Sequence, residues 1–181
     1  MRTSATAIDE PKGDAVSEHS SSPPGYLDLK QVNITEQKGE GTFTFTWLLA
    51  APVPDEFGPD DLIELGNLNI NPRFTGTEYT VVVRWAGSNQ GGNDAFEARL
   101  FGDLASWPFA GVDTFTIDGP VVTAVVPADN IGNPESFTWL AAVREKAYVF
   151  GDPFEGVTGW APGAAWGPGG LNPPELGYWE G

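Results

Sequence analysis

Alternation of residue type with a period of two recurs along most of this chain and limits its fold more than any other sequence feature. In Thr42–Leu49 (TFTFTWLL), large apolar side chains alternate with threonines. Successive side chains of a strand point to opposite faces, so this segment is predicted to be a strand with one buried face and one threonine-covered face. The same alternation occurs in residues 78–87, 96–103 and 137–144, and it assigns Trp47, Trp85 and Trp139 to the core.

Two segments interrupt this regularity. In residues 26–36 (YLDLKQVNITE), the leucines fall on odd positions while Val32 and Ile34 fall on even ones. A one-residue β-bulge near Lys30 and Gln31 would bring both pairs to the same face. Residues 55–66 (DEFGPDDLIELG) leave two alternatives open, a single helical turn or an extended lead into the strand that follows.

The fold class follows from about seven short strands separated by turn signals, without any alternation of strands and helices. Gly and Pro together exceed a fifth of the chain, which favours turns over long helices. We predict an all-β protein with little helix, an antiparallel two-sheet β-sandwich of jelly-roll or immunoglobulin-like layout.

Composition divides the chain into three parts. Residues 1–25 are polar and rich in Ser and Pro, with no apparent signal peptide, and they are predicted to form a flexible tail. Residues 26–152 hold the sandwich domain. Residues 153–181 are rich in Gly, Pro and Trp, so we expect no regular sheet there, only partial packing on the sandwich through tryptophans.

The charge balance excludes several partners. With 25 acidic and 9 basic residues the formal net charge is −16, and such a chain is repelled by nucleic-acid phosphates. No apolar run approaches the roughly 20 residues that span a bilayer, so membrane insertion is not expected. The acidity favours solubility, cation binding or a basic partner.

Most catalytic constellations are also missing from the predicted domain. The chain has no Cys, and its single His, His19, lies in the predicted tail. Thiol nucleophiles, a serine–histidine–acid triad and a histidine-ligated zinc are therefore excluded in the domain. A carboxylate pair, as in glycoside hydrolysis, is the remaining catalytic option, and no sequence pattern points to one. We predict that the protein is not an enzyme.

Three stretches together resemble a recurrent bacterial extracellular β-sandwich. They are YLDLKQVNITEQKGEGTFTFTWLLAAPVP, NLNINPRFTGTEYTVVVRW and PVVTAVVPADNIGNPESFTWLAAVR. The layout is similar to that of DOMON-like and family 9 carbohydrate-binding modules over residues 26–152. The resemblance implies an extracellular or cell-surface location. It also implies an Asp-x-Asp-x-x-Pro loop at residues 67–72, where this chain carries Asn in place of Asp and so lacks two carboxylates for calcium.

Oxygen-rich clusters make one structural Ca²⁺ the only cofactor to consider, the alternative being none. Ca²⁺ takes six to eight oxygen ligands, usually with several carboxylates. The candidate ligands lie in three clusters, and the last also fits a plain hairpin loop; they are Asp60, Asp61, Asn67, Asn69, Asn89 and Asp94.

Ligand binding is predicted from aromatic and guanidinium side chains. Aromatic faces stack on sugar rings, and Trp107 is predicted to lie in a loop outside any strand. Arg84 and Arg144 sit on the polar faces of their strands and would share one sheet face if those strands were neighbours, the alternative for each being a surface ion pair. The full set of candidates is Trp107, Trp160, Trp166, Trp179, Tyr178, Arg84 and Arg144.

Three functional hypotheses follow. The first is a non-catalytic extracellular module that binds carbohydrate or a cell-surface component. The second is a structural or assembly subunit of a surface layer, fibre or virion, in which the terminal segments pack on neighbouring copies. The third is a carboxylate-dependent glycosidase.

Overall fold

The computed structural model describes residues 3–9, 24–72, 78–102, 106–109, 111–149, 152–161 and 177–181, with side chains in 24–72, 78–102, 111–144 and 178–181. Within these ranges the chain forms two antiparallel sheets. The five-stranded sheet has the order β1-β2-β3-β9-β8. Its strands are β1 (Thr3–Asp9), β2 (Leu29–Gln37), β3 (Thr42–Leu49), β8 (Thr114–Asp118) and β9 (Val121–Pro127).

The seven-stranded sheet has the order β11-β10-β4-β5-β6-β7, and β12 also pairs with β10. Its strands are β4 (Leu62–Pro72), β5 (Tyr79–Ala86), β6 (Ala95–Gly102), β7 (Ser106–Phe109), β10 (Ser136–Val149), β11 (Asp152–Ala161) and β12 (Gly177–Glu180). The helices of the described ranges are three short 3₁₀ turns, at Gly25–Leu27, Ser88–Gln90 and Ala128–Ile131. The predicted all-β two-sheet sandwich is confirmed.

The core lies between the two sheets and is built by the period-two pattern. Phe43, Phe45 and Trp47 of β3 are fully buried, and the threonines between them are only partly buried. Trp85 and Trp139 of the seven-stranded sheet are buried in the same cluster, as predicted. Phe137 meets Phe43 edge-on at 5.7 Å between ring centroids, a geometry that aromatic pairs prefer.

The predicted bulge in β2 is confirmed. Leu29 pairs with Leu49 and Gln31 pairs with Leu48, so the register shifts at Lys30. The extra residue brings Leu29 and Val32 to the same buried face.

A second bulge, in β4, sets which residues of this strand lie on the face of the seven-stranded sheet that points away from the core. Glu64 pairs with Arg84 and Gly66 pairs with Val83, the residue before Arg84 in β5, which leaves Leu65 without a pairing partner in β5. Leu65 lies in the core, and a Cβ on Gly66 would lie 2.8 Å from the Trp47 ring. Only glycine therefore fits at position 66 without displacing Trp47.

The terminal segments differ from the prediction. Thr3–Asp9 of the expected flexible tail forms β1, which pairs with β2 over its whole length. Asp152–Ala161 and Gly177–Glu180 of the C-terminal segment form β11 and β12, although no regular sheet was expected there. These strands lie at sheet edges, where the backbone groups of β2 and β10 offer hydrogen bonds to almost any sequence.

Two tryptophan assignments are also corrected. Trp107 lies in β7 rather than in a loop, and the Pro that follows it is tolerated because β7 is an edge strand. Trp179 of β12 is only 1% exposed and stacks on Phe137 at 4.9 Å between centroids. It closes the core between the sheets.

Candidate functional site

The calcium candidates separate into two places. Asp60 and Asn89 come together in neighbouring loops, where Asn89 Nδ2 donates to Asp60 Oδ1 at 2.7 Å. Asp61 Oδ2 accepts from the Gly58 amide at 2.6 Å, and Asp94 Oδ1 accepts from the Ser88 amide at 2.7 Å. These carboxylates hold their own loops. Among the described residues, no group of three or more acidic or histidine side chains is placed to hold a metal ion.

Asn67 and Asn69 lie far along β4 from those loops, so the six predicted ligands do not form one site. Asn69 Oδ1 accepts from Thr80 Oγ1 of β5 at 2.8 Å. Asn67 Nδ2 donates to Glu64 Oε2 at 2.9 Å. Both asparagines belong to the face of the seven-stranded sheet that points away from the core, called the outer face below.

Cross-strand register brings several ligand candidates together on this outer face. One row of paired residues runs across five strands: Val157, Arg144, Glu64, Arg84 and Glu97. The row beside it contains Trp160, Ala142, Asn67, Val82 and Arg99. Paired residues share a face of a sheet, so the two rows form one polar patch, called the arginine patch below.

The strands of Arg84 and Arg144 are not neighbours, so the condition set for a shared face is not met, yet the two arginines still lie on the same face of the sheet. β4 lies between them, and Glu64 is the cross-strand partner of both. The Nε of Arg144 is 4.0 Å from Glu64 Oε2. The alternative hypothesis of an ion pair with Glu97 also holds for Arg84, whose Nε donates to Glu97 Oε1 at 2.7 Å.

Glu64 and Asn67 form the buried floor of the patch. The Glu64 side chain is 5% exposed and Asn67 is 4% exposed, and the buried Ala142 and Val82 that pair with Asn67 lie outside the core cluster. The β4 bulge explains their contact, because residues three apart in a regular strand point to opposite faces. Asn67 Oδ1 is buried and has no hydrogen-bond partner in the described part of the chain.

Glu97 is clamped by two guanidinium groups. Arg84 Nε donates to Oε1, and Arg99 Nη2 donates to Oε2 at 2.8 Å. Burial raises the pKa of Glu97, but the hydrogen bonds and charges of Arg99 and Arg84 lower it more, so the pKa lies below its usual 4.5. Glu97 therefore remains ionised and fixes both arginines.

This clamp predicts a pH-dependent contribution to stability. A lowered carboxyl pKa stabilises the fold above the unfolded-state value, and the contribution is lost as pH falls through the folded-state value. We expect Glu97→Gln to lower the free energy of unfolding by about 1–2 kcal/mol at neutral pH. Urea unfolding of both proteins should show this difference shrinking below pH 4.5. A difference that grows on acidification would contradict the assignment.

The aromatic candidates occupy different places. Trp160 of β11 pairs with Ala142 of β10, which in turn pairs with Asn67. Tyr178 of β12 pairs with Thr138 of β10, and the Tyr178 side chain is 41% exposed. Trp107 lies in β7 at the far edge of the sheet, and Trp166 lies outside the described residues. Trp179 is buried in the core, so its ring offers no face for stacking on a sugar.

A separate pocket of about 370 Å³ opens beside β12. Its wall combines Lys38 with three carboxylates, those of Glu36, Glu135 and Glu180. Glu36 Oε2 lies 3.5 Å from Lys38 Nζ, so one of these charges is already paired. The pocket does not include any residue of the arginine patch.

Sequence reasoning missed Glu64, which links the two predicted arginines. Its only signal in the sequence is an acidic residue between apolar ones in LIELG. The bulge interrupts the two-residue alternation of β4, so the alternation does not show that Glu64 and Asn67 lie on the same face. The extended alternative for residues 55–66 is the correct one from Leu62 onward, where β4 begins.

In the described ranges, the longest helical element is a short 3₁₀ turn, far below the length that would cross a bilayer. The arginine patch lies on the outer face of the seven-stranded sheet, where charged, amide and hydroxyl side chains are paired across neighbouring strands. No family model, curated protein or solved structure matches this chain.

Proposed function

We propose that this protein is a non-catalytic, extracellular or cell-surface module that binds carbohydrate at the arginine patch. The observation that carries the proposal is the buried floor of Glu64 and Asn67 between two arginines, on a sheet face separate from the core. Sugars are recognised by convergent hydrogen-bonding groups beside an aromatic ring.

The patch supplies groups of the required types. Guanidinium groups donate and carboxylates accept, and the side chains of Arg84, Arg99 and Glu97 are exposed enough to meet a ligand. Trp160, in the same row as Asn67, is the aromatic residue whose position favours a stacking role.

The proposal is tested by retention on a broad array of neutral and acidic glycans. We expect the wild-type protein to be retained on at least one glycan class. Trp160→Ala is expected to weaken binding by about two- to tenfold, because an aromatic contact contributes about 0.5–1.5 kcal/mol. Asn67→Leu is expected to weaken it as well, since it removes the amide donor that holds Glu64 in the floor of the patch.

A matched control is Thr44→Ala, on the solvent face of β3 in the other sheet. It should leave retention unchanged. Silence of the folded wild-type protein across the whole array would remove the proposal. Retention that survives both patch variants would move the binding site away from this face.

A further inference from the structure

The cationic side chains that the structure describes are unevenly distributed. All three arginines whose side chains are described, Arg84, Arg99 and Arg144, lie on the arginine patch. The other described cationic side chains are Lys30 and Lys38, both in or beside β2 of the other sheet. In a chain of net charge −16, the three arginines described with their side chains thus lie on one face.

The three arginines lie above the buried carboxylate of the patch, and the Glu97 side chain, 26% exposed, lies at their level and is bound by Arg84 and Arg99. The side chains of Arg84 and Arg144 are 18% and 17% exposed, whereas that of Glu64 beneath them is 5% exposed. Within the two rows three arginines face two carboxylates, Glu64 and Glu97, so cations are in excess. A ligand that reaches this face would meet the guanidinium groups and the Glu97 carboxylate, which is already paired with two of them, before it meets the buried carboxylate of Glu64.

From this arrangement we infer that the ligand is a mainly neutral oligosaccharide carrying a single carboxylate, which binds the guanidinium groups of the arginine patch. The inference rests on the proposed function and names its ligand class. The planar guanidinium fork matches a carboxylate in two parallel hydrogen bonds, which a lysine does not provide.

The limit to a single carboxylate follows from the rest of the protein. Charges are screened beyond about 8 Å at physiological ionic strength, so one carboxylate on the patch senses mainly the arginines. Further carboxylates along a polyuronate would extend over the acidic body and be repelled. The net charge therefore selects against polyanions while the patch selects for one anionic group.

The experiment compares saccharides that differ only in charge, using calorimetry on the full chain. One series is a xylo-oligosaccharide bearing one glucuronate, its carboxyl methyl ester and the unsubstituted oligomer. A second series is sialyllactose, its methyl ester and lactose, and an oligogalacturonate serves as the polyanion. In at least one series, the acid should bind at least tenfold more tightly than its ester, and the polyanion should bind more weakly than that acid.

Arg144→Gln is expected to bring the affinity for the acid down to that for the ester. Arg144→Lys, which keeps the charge without the fork, should retain part of the preference. Lys30→Gln removes the same charge from the other sheet and should leave the preference unchanged. The wild-type comparison of acid and ester needs no variant, so a folding defect in Arg144→Gln does not affect that test.

The outcomes separate the two proposals. If the acid and its ester bind equally well, or if the polyanion binds most tightly, the inferred ligand class is wrong. In both cases the proposal that the protein binds carbohydrate is unaffected. A preference that survives in Arg144→Gln also overturns it. No binding of any saccharide, here and on the array, removes the proposed function itself.

Discussion

Replacing Trp179 with alanine is expected to lower the free energy of unfolding by about 3–5 kcal/mol, the usual loss for a large buried aromatic side chain. Trp179 stacks on Phe137 and meets Phe43 edge-on at 4.9 Å, so truncation leaves a cavity bounded by both sheets. Its strand has only four residues, and Trp179 is the one described side chain of that strand that lies in the core. Urea unfolding followed by tryptophan fluorescence or circular dichroism measures the loss.

Tyr178→Ala is the matched control, because it truncates the neighbouring aromatic residue in the same short strand. Tyr178 is largely exposed, so we expect a loss of about 1 kcal/mol or less. Equal effects of the two substitutions would mean that Trp179 does not fill the gap between the sheets.

Gly66→Ala is expected to lower the free energy of unfolding by about 1–3 kcal/mol through overpacking. The new methyl group would lie 2.8 Å from Cδ2 and Cε3 of Trp47, closer than carbon atoms approach each other. Relief requires a shift of Trp47 or of the β4 bulge, and the bulge sets the positions of Glu64 and Asn67. Weaker glycan binding is therefore expected together with the loss of stability.

A double-mutant cycle with Trp47→Phe tests the cause. Trp47→Phe alone is destabilising because it leaves a cavity, but it removes ring atoms that the new methyl group meets. The double variant should be more stable than the sum of the two single losses implies. Additive losses would show that the strain at Gly66 does not come from Trp47.

The central strands could be predicted from the sequence because their burial is one-sided. The alternation in β3, and the irregular spacing in β2 that revealed its bulge, reflect a face that must be apolar and a face that need not be. The edge strands β1, β11 and β12 carry no such pattern. They are held by backbone hydrogen bonds to β2 and β10, and these depend on a neighbouring strand that the local sequence does not reveal.

The candidate site was predictable only in part. Alternation placed Arg84 and Arg144 on polar faces, but whether their strands lie near each other depends on strand order, which one sequence does not specify. Glu64 was missed because a bulge changes the phase of β4. Trp179 was misassigned because an aromatic residue in a Gly- and Pro-rich segment can face either water or a distant core, and long-range packing decides between them.

The position of β10 has a consequence for how the molecule opens. This strand is paired along both edges, with β4 on one side and with β11 and β12 in succession on the other. Its central amide hydrogens should exchange with solvent only on global unfolding, whereas β1, β7 and β8 each have a single partner strand and can fray locally. Because Arg144 lies on β10 and Glu64 and Asn67 lie on β4, fraying of the sheet margins leaves the floor of the arginine patch assembled.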